Sequence, residues 1–175
     1  FAACIALGLV GGAAYAVHQV RGDYADKQVH NGQWSANTNQ GTASASALTR
    51  AKVALNGLLA LPAKEAMYFI TRTDSEGRPL EGRCTYTVTG GELDARWWSV
   101  TLYKGEGWLV KNAAKGWSVP ASAVQTDEAG GWSFTVAPSA QAGTWLPTGS
   151  VPKFDLTLRL YHPSAMTIKS PETAK

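Results

Sequence analysis

The chain has 175 residues, 45% of them hydrophobic and 17% charged, with a net charge of +3. That length suits one soluble domain plus an appendage, and so small and scattered a positive charge excludes the basic stripe a nucleic-acid partner requires. Seven Trp residues are a heavy share of large aromatics, which either fill a core or form a contact surface.

Residues 1–20 form the first unit. Phe1 to Val17 reads FAACIALGLVGGAAYAV without a charge, and as a helix it spans roughly 26 Å, close to the ~30 Å hydrocarbon core of a bilayer. Ala14-Tyr15-Ala16 fits the cleavage site of a signal peptide. The segment is present in the chain, however, which favours a retained signal anchor, a single transmembrane helix. The chain does not begin with Met, so further residues are expected upstream. The usual layout places the N-terminus in the cytoplasm and the domain on the far side, a periplasmic domain on a bacterial inner membrane. Gly8, Gly11 and Gly12 give this helix a small-residue surface on which another helix can pack closely.

Residues 21–47 are polar, small and poor in charge, and read as a linker. Residues 48–62 read as an amphipathic helix, with Leu48, Ala51, Leu55, Leu58 and Leu59 on one face. Ser44 or Ser46 is placed to cap it, Gly57 weakens it and Pro62 ends it. It is expected to pack on the following domain or to bridge that domain to the membrane.

From residue 63 to 170 the pattern is β. Met67–Arg72 is a short strand, and Cys84–Thr89 alternates with Tyr86 and Val88 on one side. Ala95–Tyr103 alternates most cleanly: Trp98, Val100 and Leu102 point one way, and Trp97, Ser99, Thr101 and Tyr103 the other. Phe154–Tyr161 repeats the pattern over eight residues, and the two runs are expected to be adjacent inner strands. Lys104-Gly105-Glu106-Gly107 predicts a hairpin. Trp108–Val110 and Trp117–Val119 are short strands, Trp132, Phe134 and Val136 form another inner face, and Pro138–Pro152 reads as a long loop carrying Trp145-Leu146-Pro147. Short strands at this spacing mean an all-β sandwich or jelly roll. Residues 171–175 are a polar tail.

The ordered set Asp74-Ser75-Glu76-Gly77-Arg78-Pro79-Leu80-Glu81-Gly82, Trp98-Ser99-Val100-Thr101-Leu102-Tyr103, Val110-Lys111-Asn112, Trp145-Leu146-Pro147 and Leu156-Thr157-Leu158-Arg159-Leu160-Tyr161-His162-Pro163 resembles the DUF1214 family, whose members read DxxGxPLxG, FWSLTxY, NWLP and LTLRLYxP in this order. The resemblance covers over half the chain. It implies a jelly-roll-like β-sandwich, frequent in exported bacterial proteins and often joined to a DUF1254 domain, which this sequence does not show. Trp97 replaces the family's usual Phe, and Thr144 stands where an Asn often precedes Trp-Leu-Pro. The family brings no established activity with it.

Chemistry is sparse. Cys4 and Cys84 lie too far apart in character to form a disulfide, and Cys84 reads as a small buried hydrophobe. His18, His30 and His162 are scattered, so no metal site and no cofactor are expected. Gly116-Trp117-Ser118-Val119-Pro120 misses the nucleophile-elbow spacing, and the acid pairs Glu92/Asp94 and Asp127/Glu128 sit in turns. No catalytic set emerges. Trp98, Trp132 and Phe154 belong to the core. Trp97 and Tyr103 on the opposite face are candidates for stacking on a sugar ring or a partner, the alternative being cover by the helix or the second sheet. Trp145 in its loop is a candidate for contact with lipid headgroups or a partner, the alternative being a plug at the end of the sandwich. Arg159 is expected to pair at the surface with Asp155 or Glu81.

The reading that follows is a non-enzymatic accessory or assembly subunit. Its helix docks on the transmembrane helices of a larger inner-membrane complex, for example a respiratory or photosynthetic one. The alternative is a module binding cell-envelope glycan or lipid through exposed aromatics.

Overall fold

A computed structural model describes residues 1–21, 28–55, 60–105 and 107–173. Gly57, Leu58 and Leu59 of the expected amphipathic helix and Glu106 of the expected hairpin lie outside these residues.

Among the described residues the body is mainly β, with ten strands in two sheets. Its spine is the pair of alternating runs, now β5 (Ala95–Lys104) and β10 (Asp155–Pro163), which lie side by side and antiparallel. The register sets Leu160 against Trp98, Leu158 against Val100 and Leu156 against Leu102, so both apolar sets fall on one face. β3 (Ala66–Thr71) flanks β10 on the other side. The larger sheet runs β1 (Gln28–Asn31), β2 (Trp34–Asn37), β3, β10, β5 and β6 (Trp108–Leu109), with β7 (Ser118–Pro120) also paired to β5. The smaller sheet holds β4 (Tyr86–Gly90), β8 (Trp132–Ala137) and β9 (Trp145–Pro147).

The two sheets share one core. Val100, Leu102 and Leu160 from the larger sheet pack with Val88, Phe134, Val136 and Leu146 from the smaller. Trp98 meets Trp132 across the gap at 4.5 Å between ring centroids, and Tyr86 meets Phe154 edge-on at 5.8 Å. Trp98, Trp132 and Phe154 are buried as expected.

Three expectations are corrected. Residues 28–37, read as linker, form the antiparallel β1–β2 hairpin that extends the larger sheet. Polar composition hid it: one side of so short a hairpin faces solvent, and only Val29, Trp34 and Ala36 reach the core. Trp145-Leu146-Pro147, read as loop, is β9, which runs parallel to β8. Three residues are too few to show a period. After β10 the chain forms α3 (Ala165–Lys169), capped by the Ser164 hydroxyl accepting from the Thr167 amide at 3.1 Å, and then a 3₁₀ turn at Pro171–Thr173.

α1 (Ala2–Arg21) is the apolar leading helix. α2 (Ala47–Leu55) is capped by Ser46, whose Oγ accepts from the Thr49 amide at 3.1 Å; Ser44 instead binds Asn39. Among its described residues Thr49 and Lys52 are buried, Leu48 and Ala51 are half-buried and Leu55 is 74% exposed. Among the described residues α2 makes its main element contact with α1 rather than with either sheet.

Candidate functional site

The candidate surface is the outer face of the larger sheet, away from the core. Alternation along β5 and β10 puts Trp97, Ser99, Thr101 and Tyr103 there, opposite Tyr161, Arg159, Thr157 and Asp155 in that order. β3 adds Tyr68 opposite Arg159. Ser99, Thr101 and Thr157 are buried although they face outward, because longer side chains close over them. Arg159 is the centre of this cover. Its guanidinium donates to Thr101 Oγ1 at 3.0 Å and to the Tyr103 hydroxyl at 2.7 Å. Its Cζ lies 5.4 Å from the Tyr103 ring centroid and 5.8 Å from that of Tyr68, within cation–π range. Burial pushes the Tyr68 hydroxyl above its ordinary pKa, with Arg159 and the Leu61 backbone working the other way.

Arg159 therefore does not pair with Asp155 or Glu81. Glu81 holds Arg83 at 2.7 Å. Burial drives the Asp155 carboxyl above its ordinary pKa, the charge of Arg72 only partly offsetting this.

Trp97 and Tyr103 stand on the same face but six residues apart, about 20 Å along the strand. Arg159 lies between them. Trp97 is 41% exposed and packs on Tyr161 at 5.2 Å, the rings tilted by 48°. Trp145 does not join them. It sits in the smaller sheet, half-buried, its indole N–H donating to the Ala137 carbonyl at 3.0 Å. Gly8, Gly11 and Gly12 lie on α1, and a Cβ built on any of them meets no atom within 4 Å.

A groove of about 960 Å³ opens beside β4, between Gln33, Trp34 and Thr73 on one side and Cys84, Tyr86 and Thr87 on the other. It holds none of the expected stacking residues. Cys84, expected to be buried, is a half-buried free thiol at its lip. Among the described residues no three His, Cys, Asp or Glu side chains gather.

Several motif and turn residues hold local structure. Asp74 Oδ1 accepts from the amides of Glu76 and Arg78, and Oδ2 from the Arg78 guanidinium, each at 2.9 Å. Desolvation pushes this carboxyl up, but those hydrogen bonds outweigh it and hold it below its usual pKa. Asp127 closes a second turn in the same way. Thr148 donates to the Gly82 carbonyl at 2.6 Å in the core. Asn112 braces the loop after β6 through Gly116 and Val110. Thr144 donates to the Ala123 carbonyl.

The model of the DUF1214 family, described as a protein of unknown function, matches residues 65–165. The VPA0106 protein of Vibrio parahaemolyticus has a solved structure similar to this one, with 25% identity and a TM-score of 0.60 over 73% of this chain. A putative uncharacterized protein from Burkholderia cenocepacia aligns at 20% identity over 59% of the chain, with a TM-score of 0.45. This chain spans 33% of the first of those chains and 26% of the second. No curated protein matches the sequence.

Proposed function

The chain belongs to the DUF1214 family, and from that premise we propose that it is a non-enzymatic accessory subunit anchored in a bacterial inner membrane, with its β body in the periplasm. α1 docks on the transmembrane helices of a larger complex, and the body covers that complex's outer face. The observation that carries this reading is the state of α1. Its window Ala2–Val20 is long and apolar enough to cross a bilayer, and none of it is buried against the body. A helix of this composition gains little by standing in water, and its glycine surface gains more from a neighbouring helix than from lipid. The motif residues support the non-enzymatic part, since each one described above holds a turn, a loop or a core contact. The test is purification from native membranes in mild detergent. The wild type is expected to co-migrate with a larger assembly, and Gly8→Leu with Gly12→Leu to release it. A chain that migrates alone, or an association untouched by the substitutions, contradicts the proposal.

A second reading has its own observation, the Trp97–Arg159–Tyr103 face, where a guanidinium and aromatic rings lie side by side. Such a surface suits a glycan or a lipid headgroup. Titration with cell-envelope glycans and lipids should then change Trp emission in the wild type and not in Trp97→Ala. No change in the wild type contradicts it.

A further inference from the structure

We propose that the sheet edge formed by β6 and the loop after it docks on the surface of an anionic lipid bilayer, a second membrane contact distinct from α1. This rests on the membrane residence proposed above.

The edge is unusual in what it leaves in water. Trp108 is 66% exposed, Leu109 49% and Trp117 38%. Between and beside them Lys104, Lys111 and Lys115 are all exposed. Large aromatics interleaved with lysines are the composition of the headgroup zone, where the rings sit at the apolar boundary and the ammonium groups meet phosphates.

The arrangement is fixed rather than accidental. The Trp117 indole N–H donates to the Val110 carbonyl at 2.7 Å, which holds its ring next to β6. Asn112 donates to the Gly116 carbonyl at 2.9 Å and accepts from the Gly116 amide at 3.2 Å. The loop that carries Lys111 and Lys115 is thereby closed on itself.

Charge chooses the occupant. Residues 104–117 carry three Lys against one Glu, an excess of positive charge that complements an anionic headgroup layer. Leu109 lies opposite Tyr103 and Trp108 opposite Lys104, so apolar side chains stand on both faces of the edge. Position agrees: β6 lies at the edge of the larger sheet opposite β1, five strand spacings or roughly 24 Å from where the chain arrives from α1. Two attachments so far apart hold the sheet against the membrane, where one would leave it to pivot.

The full chain reconstituted in vesicles tests this, with brominated phosphatidylglycerol and phosphatidylcholine as the quenching lipids. α1 contains no Trp, so quenching reports the body alone. The wild type is expected to lose Trp emission in phosphatidylglycerol vesicles, and Trp108→Phe with Trp117→Phe to lose that quenched component. Lys104→Gln with Lys111→Gln and Lys115→Gln leaves both rings in place. It is expected to weaken the preference for phosphatidylglycerol by about 100-fold, the effect of three lysines at an anionic surface. A chain that resists alkaline extraction yet shows no quenching overturns the docking edge and leaves the anchor standing. A chain that is extracted but still quenched overturns the anchor and leaves the docking edge. Shielding of Trp108 and Trp117 in native membranes but not in pure lipid overturns lipid as the occupant and assigns the edge to a protein.

Discussion

Gly149 takes a left-handed φ of +58°, and a Cβ there would sit 2.6 Å from the Lys111 carbonyl oxygen. It lets the segment after β9 press against the loop after β6. Gly149→Ala is expected to cost at least about 1 kcal/mol from the backbone conformation alone, a fall in Tm of about 2–4 °C per kcal/mol for a chain of this size. An unchanged melting curve contradicts that role. Asp155 makes a prediction of opposite sign. Its carboxyl is raised by burial, so the folded state keeps this proton to higher pH than the unfolded chain, where the pKa is about 3.9. Stability therefore falls as pH rises from the unfolded value through the folded one. Asp155→Asn should stabilise the protein at neutral pH, with a gain that fades as pH falls below the unfolded value. Thermal melts across pH check this, and a gain that persists in acid contradicts it.

At the scale of elements, β10 carries the fold. It pairs with β3 and β5 together, and Leu160 at its centre is fully buried. Leu160→Ala is expected to cost about 2–5 kcal/mol, measured by denaturant unfolding; a cost below about 1 kcal/mol would mean that the two sheets do not share this core. β10 and β5 were legible in the sequence because a strand with one buried face writes its period in Leu156, Leu158 and Leu160 and again in Trp98, Val100 and Leu102. β1, β2 and β9 were not. Each is three or four residues long, and pairing with neighbours distant in sequence, not local pattern, makes them strands. α2 was legible as a helix from Leu48, Ala51 and Leu55 at helical spacing, but its contact with α1 was not.

The site was legible in part. Trp97 and Tyr103 fall on the outer face as alternation required, yet nothing in the spacing announces that Arg159 binds Tyr103 and Thr101, since that bond spans 56 residues to one and 58 to the other. The exposed pair Trp108 and Trp117 carried a weak sequence signal, aromatic residues set among lysines. What hid it was the expectation that short apolar runs lie inside. Trp145 carried two readings, a wedge against lipid or protein and a plug for the sandwich end; it lies half-buried in β9 with its indole N–H on the Ala137 carbonyl.

For the whole molecule, an apolar helix that the β body leaves uncovered leads into a body whose described motif residues hold turns, loops and core contacts. The proposed docking sets α1 against other transmembrane helices. A photo-reactive amino acid at Tyr15, which shares a helix face with Gly8, Gly11 and Gly12 at spacings of seven, four and three residues, tests this most directly when irradiated in native membranes. Adducts with a transmembrane segment of another protein are the expected result. Adducts with residues of the chain's own β body, or with lipid alone, would contradict it.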